Sequence, residues 1–168
     1  MATVTRGPDR GRLLELLVYD PETGVFTWRV NVGDKIKAGA VAGRRHTDGY
    51  WDIGFDWRRW KSARLAFLYM EGRWPRIVDH RNGVRDDDRW VNLRVADTSQ
   101  NAANKARQSN NTSGQPGVWK IPETGRWRAR VTFRGKSKSL GCFKSFDEAC
   151  AAYRRGAQAL FGEFVREA

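Results

Sequence analysis

The chain has 168 residues, 40% hydrophobic and 12% aromatic, which suffices for one buried core or for two small modules. Its 31 Lys and Arg stand against 19 Asp and Glu, and a formal charge of +12 makes a polyanion the expected partner, nucleic acid first. No run approaches the length of a membrane span and the start, MATVTRGPDRGR, has no apolar signal core, so a soluble, cytoplasmic chain with no membrane partner is expected. Cys142 and Cys150, eight apart and without a second pair at zinc-ligand spacing, read as reduced core residues.

In chain order, Leu13, Leu14, Leu16 and Leu17 predict a short helix, and the DPETG turn at 20–24 leads into a strand at Val25–Trp28. Asp48-Gly49 marks a second turn before the alternating stretch YWDIGF. After the polar-aromatic DWRRW, SARLAFLYMEG has helical composition, with Ser62 a candidate cap and Gly72 the stop. Trp51, Trp57, Trp60 and Trp74 read first as core or half-buried sheet residues, with DNA contact as the competing reading. His46, in RRHTDG, reads as a solvated loop residue.

The stretch IVDHRNGVRDDDRWVNLR, residues 77–94, predicts two short strands, Ile77–Asp79 and Asn92–Arg94. They are joined by a loop through Asn82-Gly83 and the acidic run Asp86–Asp88. A helix follows in TSQNAANKAR, with Thr98, Ser99 or Asp97 as its cap. On that reading Asp79 and Asn101 converge, and a carboxylate with an amide oxygen makes a hard-oxygen site for one Mg2+ or Mn2+ ion and not for zinc. His80 then points away from the metal toward a water whose proton an imidazole can accept near neutral pH. A bare Asp-His pair also begins many ordinary turns, and that reading stays open for the pair alone.

The wider pattern is Asp79-His80-x-Asn82-Gly83-x-x-x-Asp87-Asp88-Arg89-x-x-Asn92-Leu93-Arg94, followed by Ser99-Gln100-Asn101-x-x-Asn104. It spans about 26 residues and resembles the HNH endonucleases, in the homing branch of phages and introns and in an H-N-N form. YDPETGVFTWRV, KAGAVAG, DGYW and RLAFLYMEGRWP resemble the amino-terminal part of the same family, with Ala63 standing where relatives commonly have histidine. The resemblance implies a ββα-metal finger with His80 as general base, Asp79 and Asn101 as metal ligands, and Asn92 holding the His80 loop. It implies metal-dependent hydrolysis of DNA phosphodiesters by a His80-activated water. Arg81 and Arg94 stay off the catalytic set, since a general phosphate contact is the ordinary role of an arginine.

Charge then shifts: residues 1–104 carry 18 basic against 14 acidic residues, and residues 105–168 carry 13 against 5. The basic, polar segment KARQSNNTSG reads as the start of a linker. Beyond it, GRWRARVTF alternates Trp127, Ala129, Val131 and Phe133 with Arg126, Arg128, Arg130 and Thr132, the pattern of a half-buried strand with an arginine face. Flanking strands at Gly117–Lys120 and Lys138–Phe143 complete a three-stranded antiparallel sheet through turns at Glu123–Gly125 and Arg134–Lys136. Ser145-Phe146-Asp147-Glu148 is a capping box, and the helix it starts presents Phe146, Ala149, Cys150, Tyr153, Ala157, Leu160, Phe161 and Phe164 to the sheet.

NTSG, GVWK, GRWRARV and LGCFKSFDEACAAYRRGAQALFGEF resemble the APETALA2/ethylene-response-factor DNA-binding domain over roughly residues 111–164. The resemblance implies major-groove reading by Trp119, Arg126, Arg128 and Arg130, while Lys136 and Lys138 hold phosphates. Binding through phosphates alone is the competing reading. The expected architecture is α+β: a nuclease domain at 1–104 with its finger core at 77–106, a linker at 105–113, and a sheet-and-helix domain at 114–168. The expected protein is a homing-type endonuclease acting on double-stranded DNA, as a monomer or a transient pair, in a bacterial host or phage-infected cell. It needs no small-molecule substrate. A transcriptional regulator with an inactive nuclease finger is the alternative.

Overall fold

Leu13 and Leu16 point one way from the first helix, and the chain turns straight into a strand so that Leu17 continues the same apolar surface. The computed structural model describes residues 7–104 and 113–165. The chain divides into two compact units, residues up to Val95 and residues from Ala96. The sequence reading set residues 96–104 with the first unit, and all of its 105–113 linker except Ser113 lies outside the described residues.

In the first unit, helix α1 (Arg10–Leu16) is capped by Asp9, whose carboxylate accepts from the Arg12 amide at 2.8 Å. Strands β1 (Leu17–Tyr19) and β2 (Phe26–Trp28) pair antiparallel around DPETG, with Leu17 opposite Trp28 and Tyr19 opposite Phe26. These four side chains are buried, whereas Val18 is exposed. Gly24 closes the turn at φ 76, and a Cβ there would sit 2.3 Å from the Asp88 carbonyl carbon. The DPETG turn therefore packs directly on the acidic loop, and the Trp90 amide donates to the Pro21 carbonyl at 2.9 Å.

Strands β3 (Arg44–Arg45), β4 (Trp51–Phe55) and β5 (Arg58–Lys61) form an antiparallel sheet. DWRRW, left unassigned by the sequence reading, is thus a hairpin turn and a strand. Helix α2 (Ser62–Glu71) buries Leu65, Ala66, Phe67 and Leu68, and apolar side chains of this size stabilise by about 1.5–3 kcal/mol each. Gly72 ends it at φ 69 with its amide on the Leu68 carbonyl. Ser62 is not the cap; Lys61 holds that position and Ser62 is the buried first helical residue. Trp51, Trp60 and Trp74 are half-buried against the core, whereas Trp57 is exposed. The unit ends in a hairpin of β6 (Val78–His80) and β7 (Leu93–Val95), with a 3-10 turn at Trp90–Asn92 before β7.

The second unit opens with helix α3 (Thr98–Ala103). Asp97, one of the three candidate caps, makes a capping box with Gln100. Arg134 ties this helix to the rest of the unit: its amide donates to Ser99 Oγ at 2.9 Å and its guanidinium meets the Asp97 carboxylate at 3.2 Å. Strands β8 (Val118–Lys120), β9 (Trp127–Phe133) and β10 (Lys136–Phe143) form an antiparallel sheet with β9 central. Helix α4 (Phe146–Phe161), started by the Ser145–Glu148 capping box, packs on one face of the sheet through Ala149 and Cys150 against Val118 and Ala129. Ring pairs Trp127–Phe146 and Phe133–Phe161, at 4.8 and 5.4 Å, seal that face. Gly117, at φ 67, lies where a Cβ would come within 2.4 Å of the Tyr153 ring. Cys150 is buried as expected. Cys142 is a half-exposed strand residue, because it pairs with Arg128 on the face away from α4. Among the described residues no helix is long and apolar enough to cross a membrane.

Candidate functional site

Antiparallel pairing across β6 and β7 sets Asp79 opposite Arg94 and His80 opposite Leu93. Directly opposed residues share a sheet face, so Arg94 reaches its partner's carboxylate. Its Nε and Nη2 both donate to Asp79 Oδ2, each at 2.8 Å, and both side chains are buried. A fork of this kind fixes the orientation of the carboxylate as well as its charge.

His80, the next residue, points to the opposite face and is 4% exposed. Its Nε2 lies 2.8 Å from Asp88 Oδ1, and Asp88 is 3% exposed. The Tyr50 ring stands 5.8 Å from the imidazole. The sequence reading turned His80 toward a water lined up with the phosphorus. In the structure its Nε2 end faces a buried carboxylate, because the acidic loop folds back under the hairpin. Asp88 thus engages the imidazole at its Nε2 end.

The three consecutive aspartates of that loop have three different partners. Asp86 meets Arg45 at 3.0 Å. Asp87 binds Arg89 through both carboxylate oxygens at 2.7 and 2.6 Å and accepts from Asn82 Nδ2 at 2.6 Å. The Arg89 hydrogen bonds, aided by Asn82, hold the Asp87 carboxyl down at about 2. Asp88 alone turns inward, and its carbonyl accepts from the Tyr19 hydroxyl at 2.6 Å. Burial, with the neighbouring carboxylates, pushes the Tyr19 phenol well above its ordinary value, so it stays a donor.

Asn92 staples this loop. Its Oδ1 accepts from the Asn82 amide at 3.0 Å, its Nδ2 donates to the Asp87 carbonyl at 2.7 Å, and its own carbonyl accepts from the Arg81 amide at 2.9 Å. Asp79, His80 and Asn92 thus belong to one hydrogen-bonded hairpin. Asn101 lies on α3 of the second unit, half-buried, with its amide on the Asp97 carbonyl at 2.9 Å. His46 is partly exposed beside Asp48 and is not part of the hairpin network.

By residue type Asp79 carries a carboxylate and Asn101 an amide oxygen, both donors that suit a hard divalent ion, and the two residues stand in different units. Among the described residues no three His, Cys, Asp or Glu side chains group together as a possible metal site of those ligand types alone. Asp88, Arg94 and Tyr50 are the residues of this network that sequence reasoning missed. Opposed register could have found Arg94, whereas nothing distinguished Asp88 from its two neighbours.

A family model for HNH endonucleases matches residues 63–103, which hold α2, the hairpin and α3. A protein of Acanthamoeba polyphaga mimivirus named Uncharacterized HNH endonuclease L560 is 30% identical over 116 residues, covering 67% of this chain and 59% of that protein. Protein 3.8 of Escherichia phage T7 is 35% identical over 91 residues, covering 53% of this chain and 73% of its own length. The chain contains an HNH endonuclease segment at residues 63–103. It spans 59% of the mimivirus relative, and no solved structure matches it.

The second candidate surface of this HNH protein is the sheet of its second unit. Arg126, Arg128 and Arg130 are exposed on the face away from α4. Trp119 pairs with Arg128 there and lies 5.2 Å beneath the Arg130 guanidinium. Arg126 and Arg128 also reach back to Cys142, at its carbonyl and its Sγ. Lys136 and Lys138 do not join this row. Their partners are Phe133 and Val131, so both start from the α4 side of the sheet and are exposed only beyond its cover.

Proposed function

We propose that this chain is a site-directed DNA endonuclease of the homing type, in which the hairpin cuts and the second unit selects the target. The observation that carries the reading is the buried network of Asp79–Arg94, His80–Asp88 and Asn92 inside the segment matched as HNH endonuclease. His80 takes a proton from the attacking water, while Asp88 holds the ring from its Nε2 end. Asn92 keeps the Arg81–Asp87 loop closed and acts as a positioning residue. Arg94 orients Asp79, and Asp79 and Asn101 are the residues that would hold one Mg2+ or Mn2+ ion. That ion, when bound, supplies Lewis-acid stabilisation to the phosphate and the departing 3′ oxygen.

The exposed arginine row and Trp119 support an APETALA2-like role for the sheet in reading double-stranded DNA, and Lys136 and Lys138 would reach phosphates from its rim. The phage T7 relative supports action in the cytoplasm of a phage-infected or host bacterium. One finger gives one cut per chain, so a monomer nicks and a transient pair cuts both strands. The second reading, a DNA-binding regulator with an inactive finger, draws on the Asp79–Arg94 pair, which already satisfies part of the carboxylate a metal needs.

The test is cleavage of a supercoiled plasmid library by wild type and His80→Ala, with magnesium and with chelator. Metal-dependent nicking or linearisation that the substitution abolishes is expected. Binding without cutting by wild type replaces the nuclease with the regulator.

A further inference from the structure

Phe55 pairs directly with Arg58, so the β4–β5 hairpin turns on two residues, Asp56 and Trp57. Both have positive φ, 49 and 61, as a type I′ turn requires and as Gly, Asn or Asp ordinarily supply. Tryptophan is poorly suited to that backbone, since its Cβ and ring crowd the left-handed region. Nor does the ring repay the fold by burial. Trp57 is 105% exposed, while Trp51, Trp60 and Trp74 of the same unit pack against the core. Folding alone is better served by glycine here.

The surroundings are cationic. Arg58 and Arg59 follow at once and are exposed. Strand alternation sends them to opposite faces of the hairpin, Arg58 beside Phe55 and Arg59 beside Gly54, which has no side chain to crowd it. The one acid of the turn, Asp56, is paired with Arg12 at 3.5 Å. A flat, fully exposed aromatic ring followed by two exposed arginines matches a ligand that offers aromatic faces flanked by phosphates.

We propose that Trp57 is a DNA-contacting tip that stacks on nucleobases while Arg58 and Arg59 hold phosphates on either side of it. The inference rests on the reading of the chain as a DNA nuclease, and adds a contact outside both the finger and the arginine-faced sheet. Base stacking on an aromatic ring tolerates any sequence, so the tip contributes affinity and local unstacking and leaves target choice to other residues.

The experiment is equilibrium binding of the full chain to a short duplex in chelator, by fluorescence anisotropy over a salt series. Wild type, Trp57→Gly, Trp57→Asn, Arg58→Ala and Arg59→Ala are compared, each with a thermal melt. Trp57→Gly and Trp57→Asn should melt no lower than wild type, because both tolerate positive φ, and should bind about 5- to 100-fold more weakly with an unchanged salt slope. Each arginine variant should lower the salt slope by about 1. Trp57→Gly binding as tightly as wild type overturns the tip alone. Wild type that binds no duplex overturns the tip and the nuclease reading together.

Discussion

Replacing Asp88 by alanine removes a carboxylate contact of a buried imidazole: His80 Nε2 to Asp88 Oδ1 is 2.8 Å, with the two side chains 4% and 3% exposed. A buried N–H left without its acceptor costs about 1–3 kcal/mol, with the upper part of that range for an acceptor as strong as a carboxylate. The backbone contact survives, because Tyr19 binds the Asp88 carbonyl and not its side chain. Destabilisation of about 2–3 kcal/mol is therefore expected, seen as a fall of about 4–12 °C in the melting midpoint for a chain of this size. Asp88→Asn keeps an acceptor oxygen of the same reach and should recover most of it. In plasmid nicking, Asp88→Ala should lose about 100-fold, the cost of a reacting group displaced by about 1 Å, with Asp88→Asn intermediate. Unchanged melting and nicking in Asp88→Ala would refute the view that this carboxylate holds His80. So would an asparagine variant as damaged as alanine in melting.

Two further outcomes follow from the same geometry. The Asp87 carboxyl lies at about 2 in the folded chain against an ordinary 3.8, so its contribution is complete above about pH 4 and is lost as pH falls through about 2. Because Arg89 is half-exposed and solvent screens the pair, this amounts to about 1 kcal/mol. Urea unfolding of wild type and Asp87→Asn should converge at low pH and differ at pH 5, and a constant difference counts against the pair. Arg128→Ala or Arg130→Ala should weaken discrimination between cognate and random DNA by about 1–3 kcal/mol if the side chain reads a base. Competition binding at fixed salt measures this, and an equal loss on all sequences makes the contact a phosphate one.

Much of the fold could be read from local pattern. The β9 alternation, the Ser145 capping box and the Gly72 stop depend on residues within one or two turns of each other, where period and cap chemistry are decisive. DWRRW misled because Trp57, one of its two tip residues, is not an ordinary turn residue, so a strand after it had no visible start. The face of Lys136 and Lys138 is set by the turn at Arg134-Gly135, which pairs Lys136 with Phe133 and Lys138 with Val131, whereas the bulge between Ser139 and Gly141 shifts the register only beyond them. In the hairpin, identity of the acid and imidazole was legible in sequence, and the state of each was not. Burial of His80 depends on Asp88 turning inward, and nothing local in Asp86-Asp87-Asp88 selects the third carboxylate.

What selects it comes from residues about seventy positions earlier. Tyr19 holds the Asp88 carbonyl, Pro21 accepts from the Trp90 amide, and side-chain-free Gly24 lets the DPETG turn close on the Asp88–Arg89 peptide. With the main chain of residue 88 pinned from one side and Asn92 closing the loop from the other, the Asp88 side chain faces inward and meets His80. The β1–β2 hairpin is thus part of the site's support although it contributes no reacting group. A side chain at position 24, which touches neither imidazole nor metal ligand, would displace the very peptide that aims the Asp88 carboxylate.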